Sequence, residues 1–223
     1  MSTNANEGHG TGPGLGYHIV EMPGAPLPGS LETNRRLSQW LRFRPDGIVE
    51  VSSGKVEIGQ GILTAIAQIV ADELDVDLAR VRMLPASTAA SPNEGVTSGS
   101  LSIQQSGSAL RHACAEARAI YLDAASQRFG VDAQGLKVQD GEIVGPGNLR
   151  TSYWELSDQG LLDHEATAKI APKAPAARRL VGVPMSRIDI PDKVFGRRRF
   201  IHDLALPGLL HGCVLRPPSS GAT

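Results

Sequence analysis

Residues 54–83 read GKVEIGQGILTAIAQIVADELDVDLARVRM, and this stretch decides the fold class. Gly59-Gln60-Gly61 stops an extended run, because glycine costs more to order than any other residue. After it Ile62, Ile66, Ile69 and Val70 recur at helical spacing, which predicts an amphipathic helix over residues 62–74. Val81–Leu84 then predicts a short strand. On the other side, Ile48, Val49 and Val51 open a strand directly after the Pro45-Asp46-Gly47 turn, and Lys55–Ile58 resumes it as a hairpin or a broken strand.

Further out, Leu37, Trp40 and Leu41 predict a helix over residues 31–41, behind an extended Pro-rich linker at 23–30. Residues 86–108, ASTAASPNEGVTSGSLSIQQSGS, form a loop of small hydroxylated residues and glycines, longer than a plain connector needs. A second helix runs from about Ser108 to Phe129 and ends at Gly130. Asp140-Gly141 predicts a hairpin within Leu136–Val144. Thr151 or Ser152 caps a short helix through Leu156. Pro, Ala and basic residues at 171–179 mark a linker, and Leu209–Leu215 reads as a strand with an open edge. The fold class is α+β: small mixed sheets with helices on one side, a linker, and the start of a second domain.

Composition narrows the function classes. Lys+Arg 22 against Asp+Glu 23 gives a net charge of −1, with no electrostatic footprint for nucleic acid or an anionic membrane. No apolar run approaches the roughly 20 residues of a spanning helix. The 2 cysteines, Cys114 and Cys213, are too few for an iron–sulfur cluster held by four thiolates. Aromatics at 4% predict an aliphatic core. The Gly, Asn and Thr content of the first residues predicts a disordered leader, and the lack of an export signal predicts a cytoplasmic location and two free thiols.

Two segments share one construction, a Gly- or Ser-rich loop feeding the start of a long helix. Helix N-termini offer unpaired N–H groups and partial positive charge to phosphate-like anions. In the first, Gly59 and Gly61 allow close backbone approach and Gln60 offers a donor and an acceptor. In the second, Thr97, Ser98, Ser100 and Ser102 offer hydroxyls, with Gly99 giving backbone access. Taken alone, Gly-Gln-Gly is more often an ordinary strand-to-helix turn, and the Ser-rich segment more often a surface loop. Glu73 lies in line with Ile62, Ile66 and Ile69, so it is either a half-buried carboxylate with a raised pKa or a last-turn side chain reaching water. The histidines are scattered, and His112 and Cys114, two apart on a helix, face different ways.

The quoted 54–83 stretch, followed by SPNEGVTSGSLSIQQSGSAL at 91–110, resembles the molybdopterin-binding subunit of the xanthine dehydrogenase and aldehyde oxidase family. The likeness is to its isoquinoline 1-oxidoreductase and nicotinate dehydrogenase branch. LPGSLETNRRLSQWLRF at 27–43 and VGVPMSRIDIPDKVFGRRRFIHDLALPGLLHGCVLRPP at 181–218 extend it, the latter resembling the opening of the family's hammerhead domain. The resemblance implies a leader at 1–25, a partial molybdopterin-binding domain at 26–170, a linker at 171–190 and the start of a hammerhead domain at 191–223. It also implies that Gln60, between Gly59 and Gly61, hydrogen-bonds the pyranopterin. Thr97, Ser98, Gly99, Ser100 and Ser102 match the loop that holds the pterin and its phosphate.

The implied cofactor is molybdenum–molybdopterin in its cytosine dinucleotide form, with 2Fe-2S clusters on a partner subunit. The implied reaction oxidises an N-heteroaromatic compound or an aldehyde with water as oxygen donor and a glutamate as base. The Gly-x-Gly-Glu motif of that glutamate and the Gly-Gly-Phe-Gly segment are absent from these residues. Catalytic residues and metal ligands are therefore expected on a larger molybdenum-binding subunit. The other reading is a non-catalytic remnant or assembly module that binds a phosphorylated ligand or a larger partner.

Overall fold

The computed structural model describes residues 26–197 and 200–221. The expected leader at 1–25, and Arg198 and Arg199 of the arginine run, lie outside the described residues. The chain divides into two units, Met1–Ser186 and Arg187–Thr223.

In the first unit β1 (Leu41–Phe43) and β2 (Val49–Val51) pair antiparallel, with Leu41 opposite Val51 and Phe43 opposite Val49. β2 runs parallel to β3 (Val81–Met83). Parallel neighbours need a crossover, and α1 (Ile62–Leu74), with the bounds its periodicity predicts, supplies it. The side chains alternate as a half-covered sheet requires. Leu41, Phe43, Val49 and Val51 are buried against the helices, while Glu50 on the other face meets Arg44 at 3.3 Å and Arg82 at 3.8 Å.

α2 (Ser108–Phe129) packs on α1, and its buried Ala109, Ala113 and Ala117 let the two backbones approach. Helical backbone begins earlier than expected, at Ser102, through a π-helical turn over Ile103–Gly107. Gly107 fits there because a Cβ would stand 3.2 Å from Ile69 Cδ1 on α1. The second sheet is a meander of β4 (Lys137–Gln139), β5 (Glu142–Val144) and β6 (Arg150–Ser152). Its first turn is the predicted one: Asp140 (φ 50°) and Gly141 (φ 81°) are both left-handed, as a tight two-residue hairpin demands.

Several expectations are corrected. Residues 31–41 form no α-helix, only 3₁₀ turns at Gly29–Leu31 and Leu37–Gln39. The reason is tertiary: Leu37 N–H and Ser38 N–H donate to the carbonyls of His164 and Leu162, both at 3.0 Å. Lys55–Ile58 is not a strand, because Lys55 N–H goes to Ser53 Oγ and Val56 N–H to Thr97 Oγ1 instead of a ladder. Thr151 and Ser152 close β6 rather than opening a helix, although Ser152 Oγ does accept Glu155 N–H at 3.1 Å.

The core is not purely aliphatic either. Phe43 and Tyr121 stack edge to face at 4.7 Å, Tyr153 lies 4.7 Å from Phe43, and Trp40 is wholly buried. Phe43, Tyr121, Tyr153 and Trp154 cluster where both sheets meet α2, and a percentage carries no position.

The Pro/Ala-rich segment read as a linker is tied down by buried carboxylates. Asp72 accepts the N–H groups of Arg179 (2.8 Å), Leu180 (3.2 Å) and Val181 (2.9 Å), and Glu73 accepts that of Lys173 (3.0 Å). Asp75 meets Lys173 Nζ at 2.5 Å, Arg118 Nε at 2.9 Å and Arg179 Nη2 at 2.9 Å. Glu116 on α2 accepts Thr167 N–H and Oγ1–H. Asp72, Glu73 and Glu116 thus hold one extended strap by its backbone, and Asp75, at the end of α1, holds it by the side chains of Lys173 and Arg179.

The described residues of the second unit include a short α-helix, α3 (Ile190–Val194), and a 3₁₀ turn at Ile201–Asp203. Asp189 before it holds Arg187 at 2.7 Å and Lys193 at 2.5 Å, and both cations draw its carboxyl well below the usual range. Leu209–Leu215 is not a strand: it has no ladder partner among the described residues, and Leu210 and Leu215 are 91% and 92% exposed.

Candidate functional site

The first predicted segment turns between Val56 and the start of α1. Gly59 (φ 106°) and Gly61 (φ 80°) take backbone conformations that side chains resist, so the turn requires glycine at both. A Cβ at Gly59 would have nothing within 4 Å, so the backbone there is open to a ligand. Gln60 is exposed but not idle: Nε2 donates to Val56 O at 2.9 Å, and Oε1 accepts Ile58 N–H at 2.6 Å. Glu57 wraps the same turn, its Oε1 accepting from Gly59 N–H at 2.8 Å and Gly61 N–H at 2.9 Å.

The second segment is held against the first. Lys55, 1% exposed, donates through Nζ to Glu94 O at 2.6 Å and Val96 O at 2.9 Å. Glu94 Oε2 accepts Ser53 Oγ–H at 3.1 Å and Gly54 N–H at 2.7 Å, and Ser53 Oγ also meets Ser106 Oγ at 2.8 Å. Asn34 and Asn93 exchange two more bonds, at 3.0 and 2.9 Å. Beyond these anchors Ser98, Gly99 and Ser100 are exposed and Ser102 is half-buried. Ser100 sits at φ 57° and Gly99 at φ 62°, a left-handed pair at the mouth of the π turn. Strained backbone and π-helical turns both concentrate at functional sites.

Of the predicted site residues Thr97 is bonded across, its Oγ1 accepting the N–H of Val56, just before the Gly59–Gly61 turn, at 3.0 Å. Among the described residues no hydrogen bond links Gln60 to Ser98, Ser100 or Ser102, and those three hydroxyls make none within the chain. A cleft of about 350 Å³ runs beside the first segment, lined by Gly54, Val56, Ser87, Thr88, Asn93 and Glu94, and none of the predicted site residues lines it. Ile58 (72% exposed), Val96 (77%), Val56, Leu101 and Ile103 surround the two loops with apolar surface. Exposed apolar residues gathered in this way mark surfaces that something covers.

Lys55, Glu57, Glu94 and Ser53 organise the site and were not singled out from the sequence. Only Glu57 had a readable signal, an acid just before the first helical turn, where negative charge is favoured. Glu73 resolves in favour of burial: at 3% exposure it bonds Arg111 Nε at 3.1 Å and Lys173 N–H, and burial still raises its pKa. Cys114 is buried, its thiol pushed up by burial and by the Glu73 charge, which makes it a poor nucleophile. No group of three or more His, Cys, Asp or Glu among the described residues could hold a metal ion, and no helix there is long and apolar enough to cross a membrane.

Comparison with known proteins gives one family match, to the molybdopterin cofactor-binding domain, over residues 2–190. A nicotinate dehydrogenase component of Pseudomonas putida is 39% identical over 84% of this chain and 16% of its own length. The beta chain of the isoquinoline 1-oxidoreductase of Brevundimonas diminuta is 30% identical over 82% of this chain and 28% of its own. A membrane-bound aldehyde dehydrogenase of Gluconacetobacter polyoxogenes, named for pyrroloquinoline quinone, is 30% identical over 81% and 24%. This chain therefore spans between 16% and 28% of the lengths of these relatives.

Proposed function

The chain belongs to the molybdopterin cofactor-binding domain family, and from that premise we propose that it is the cofactor-binding part of a molybdenum hydroxylase. The enzyme it serves oxidises an N-heteroaromatic compound or an aldehyde with water as oxygen donor. One observation carries this reading: the chain just before the Gly59–Gly61 turn is bonded to the segment that opens the Thr97–Ser102 loop, through Lys55 to Glu94 and Val56 to Thr97, and the two loops carry approachable glycine backbone, an exposed amide and unused serine hydroxyls.

Those groups fit a polar heterocycle carrying a phosphate. Gln60 would meet the pterin, Thr97 to Ser102 would hold the pterin and its phosphate, and Gly59, Gly61 and Gly99 would let the backbone come close. The cofactor, when bound, supplies the redox centre. This chain's residues orient it and exclude water from one side. The cytosine dinucleotide form, a 2Fe-2S partner subunit and a cytoplasmic location belong to the same proposal. So does a larger molybdenum-binding subunit, whose docking would cover Ile58, Val96 and Ile103 and bring the base glutamate. Residues 191–223 are proposed as the start of a hammerhead domain, and 171–190 as the joint between the domains.

The test is molybdenum content, by elemental mass spectrometry, of the complex isolated on this chain from its host. Near-stoichiometric metal is expected, reduced in Gln60→Ala. A complex without molybdenum and without a large partner overturns the proposal in favour of a remnant, and normal retention in Gln60→Ala removes Gln60 from the site.

A further inference from the structure

The start of α1 would ordinarily leave backbone donors free. Here one side chain takes two of them, Gly61 N–H on Oε1 at 2.9 Å and Leu63 N–H on Oε2 at 3.3 Å, and Glu57 Oε1 also accepts Gly59 N–H from the turn before at 2.8 Å. Both oxygens of one carboxylate are committed to the end of the helix, and their charge complements its dipole. An incoming phosphate would compete with a carboxylate carried on the same turn and meet its negative charge at short range.

Gln60 is left in a different state. Its amide is oriented by Val56 O and Ile58 N–H, yet an amide has two N–H donors and two acceptor lone pairs. One donor and one lone pair remain on a neutral, exposed group.

We propose that Glu57 is a positioning and specificity-determining residue. Its carboxylate closes the N-terminus of α1 to phosphate-like anions and fixes the turn on which Gln60 presents a neutral donor–acceptor pair. This end of the site therefore takes the uncharged edge of a heterocycle. The identity of that heterocycle rests on the cofactor reading above, whereas the exclusion of anions does not.

The experiment titrates pyrophosphate into the ¹⁵N-labelled 223-residue chain and follows the amide resonances of Gly59, Gly61 and Leu63. In the native chain these are expected to show no saturable shift. Glu57→Ala moves all three before any ligand is added and then gives a saturable response, with affinity at least about tenfold above the native chain. Glu57→Gln, which keeps an acceptor on the same stem without the charge, falls between them and carries the test if the alanine variant does not fold. Equal responses in native and variant chains overturn the proposal. So does an absent response in both, or an alanine variant whose three amides stay in place. No molybdenum enters this readout, so a metal-free complex refutes the cofactor reading alone.

Discussion

Lys55 and Glu94 meet across 39 residues of sequence, the Lys55 ammonium donating to the Glu94 carbonyl at 2.6 Å. A lysine that is 1% exposed carries its charge into the interior and spends it on backbone oxygens of the facing loop. That contact sets the two halves of the candidate site side by side.

Lys55→Met keeps the apolar stem and removes the donor. The Glu94 carbonyl loses a buried partner, which costs about 2 kcal/mol. The urea midpoint should fall with an unchanged slope, since the surface exposed on unfolding stays the same. On the proposed cofactor reading, molybdenum retained by the complex should fall as well, because the Thr97–Ser102 loop loses one of its anchors.

Asp75 and Arg179 separate a buried charge from an exposed one. Asp75→Asn leaves Lys173 and Arg118 buried beside a neutral amide and should cost about 3–5 kcal/mol. Arg179→Ala removes a side chain that is 68% exposed from the same carboxylate and should cost less than about 1 kcal/mol. Equal losses in chemical denaturation would show that the buried Lys173 and Arg118 and the exposed Arg179 do not depend on Asp75 differently.

Glu73 makes a pH signature of its own. Burial raises its folded-state pKa above the ordinary 4.5, with Arg111 and Lys173 only partly offsetting it. Between 4.5 and that raised value the folded chain holds more protons than the unfolded chain. The Glu73 contribution to stability therefore falls as pH rises through this window and is level above it. The stability difference between Glu73→Gln and the native chain should shift in favour of the variant from pH 4 to neutrality. A flat or opposite difference would mean that Arg111 outweighs burial.

Gly141 admits no side chain. A Cβ would stand 2.4 Å from Trp154 Cζ2, at a φ of 81° that alanine resists. Gly141→Ala should cost about 3 kcal/mol. Gly130→Ala, at φ 66° with nothing within 4 Å, meets only the backbone term of about 1 kcal/mol. Thermal melts of the two variants check the gap.

The candidate site was legible only in part. Gly59, Gly61 and the hydroxyl run were visible because glycine and serine clusters mark backbone that must bend or approach something. Glu94 was hidden, because nothing within Asn93-Glu94-Gly95 says that its carboxylate reaches Ser53 and Gly54. Glu57 changed the meaning of the first loop: the donors read from sequence as open to an anion are held by the chain itself.

The sequence by itself determined what local chemistry controls. α1 follows from the spacing of Ile62, Ile66, Ile69 and Val70, and the β4–β5 turn from Asp140-Gly141, because periodicity and left-handed turns are properties of neighbouring residues. Tertiary structure decided what depends on distant partners. Residues 31–41 gave up a helix because 162–164 offered their carbonyls, and Leu209–Leu215 formed no strand for want of a ladder partner among the described residues. The strap is fixed by Asp72, Glu73 and Glu116, whose carboxylates act on backbone far along the chain, and by Asp75, which pairs with the side chains of Lys173 and Arg179. A buried charge is stable only once its partners are in place, and those partners come together only when the chain has folded.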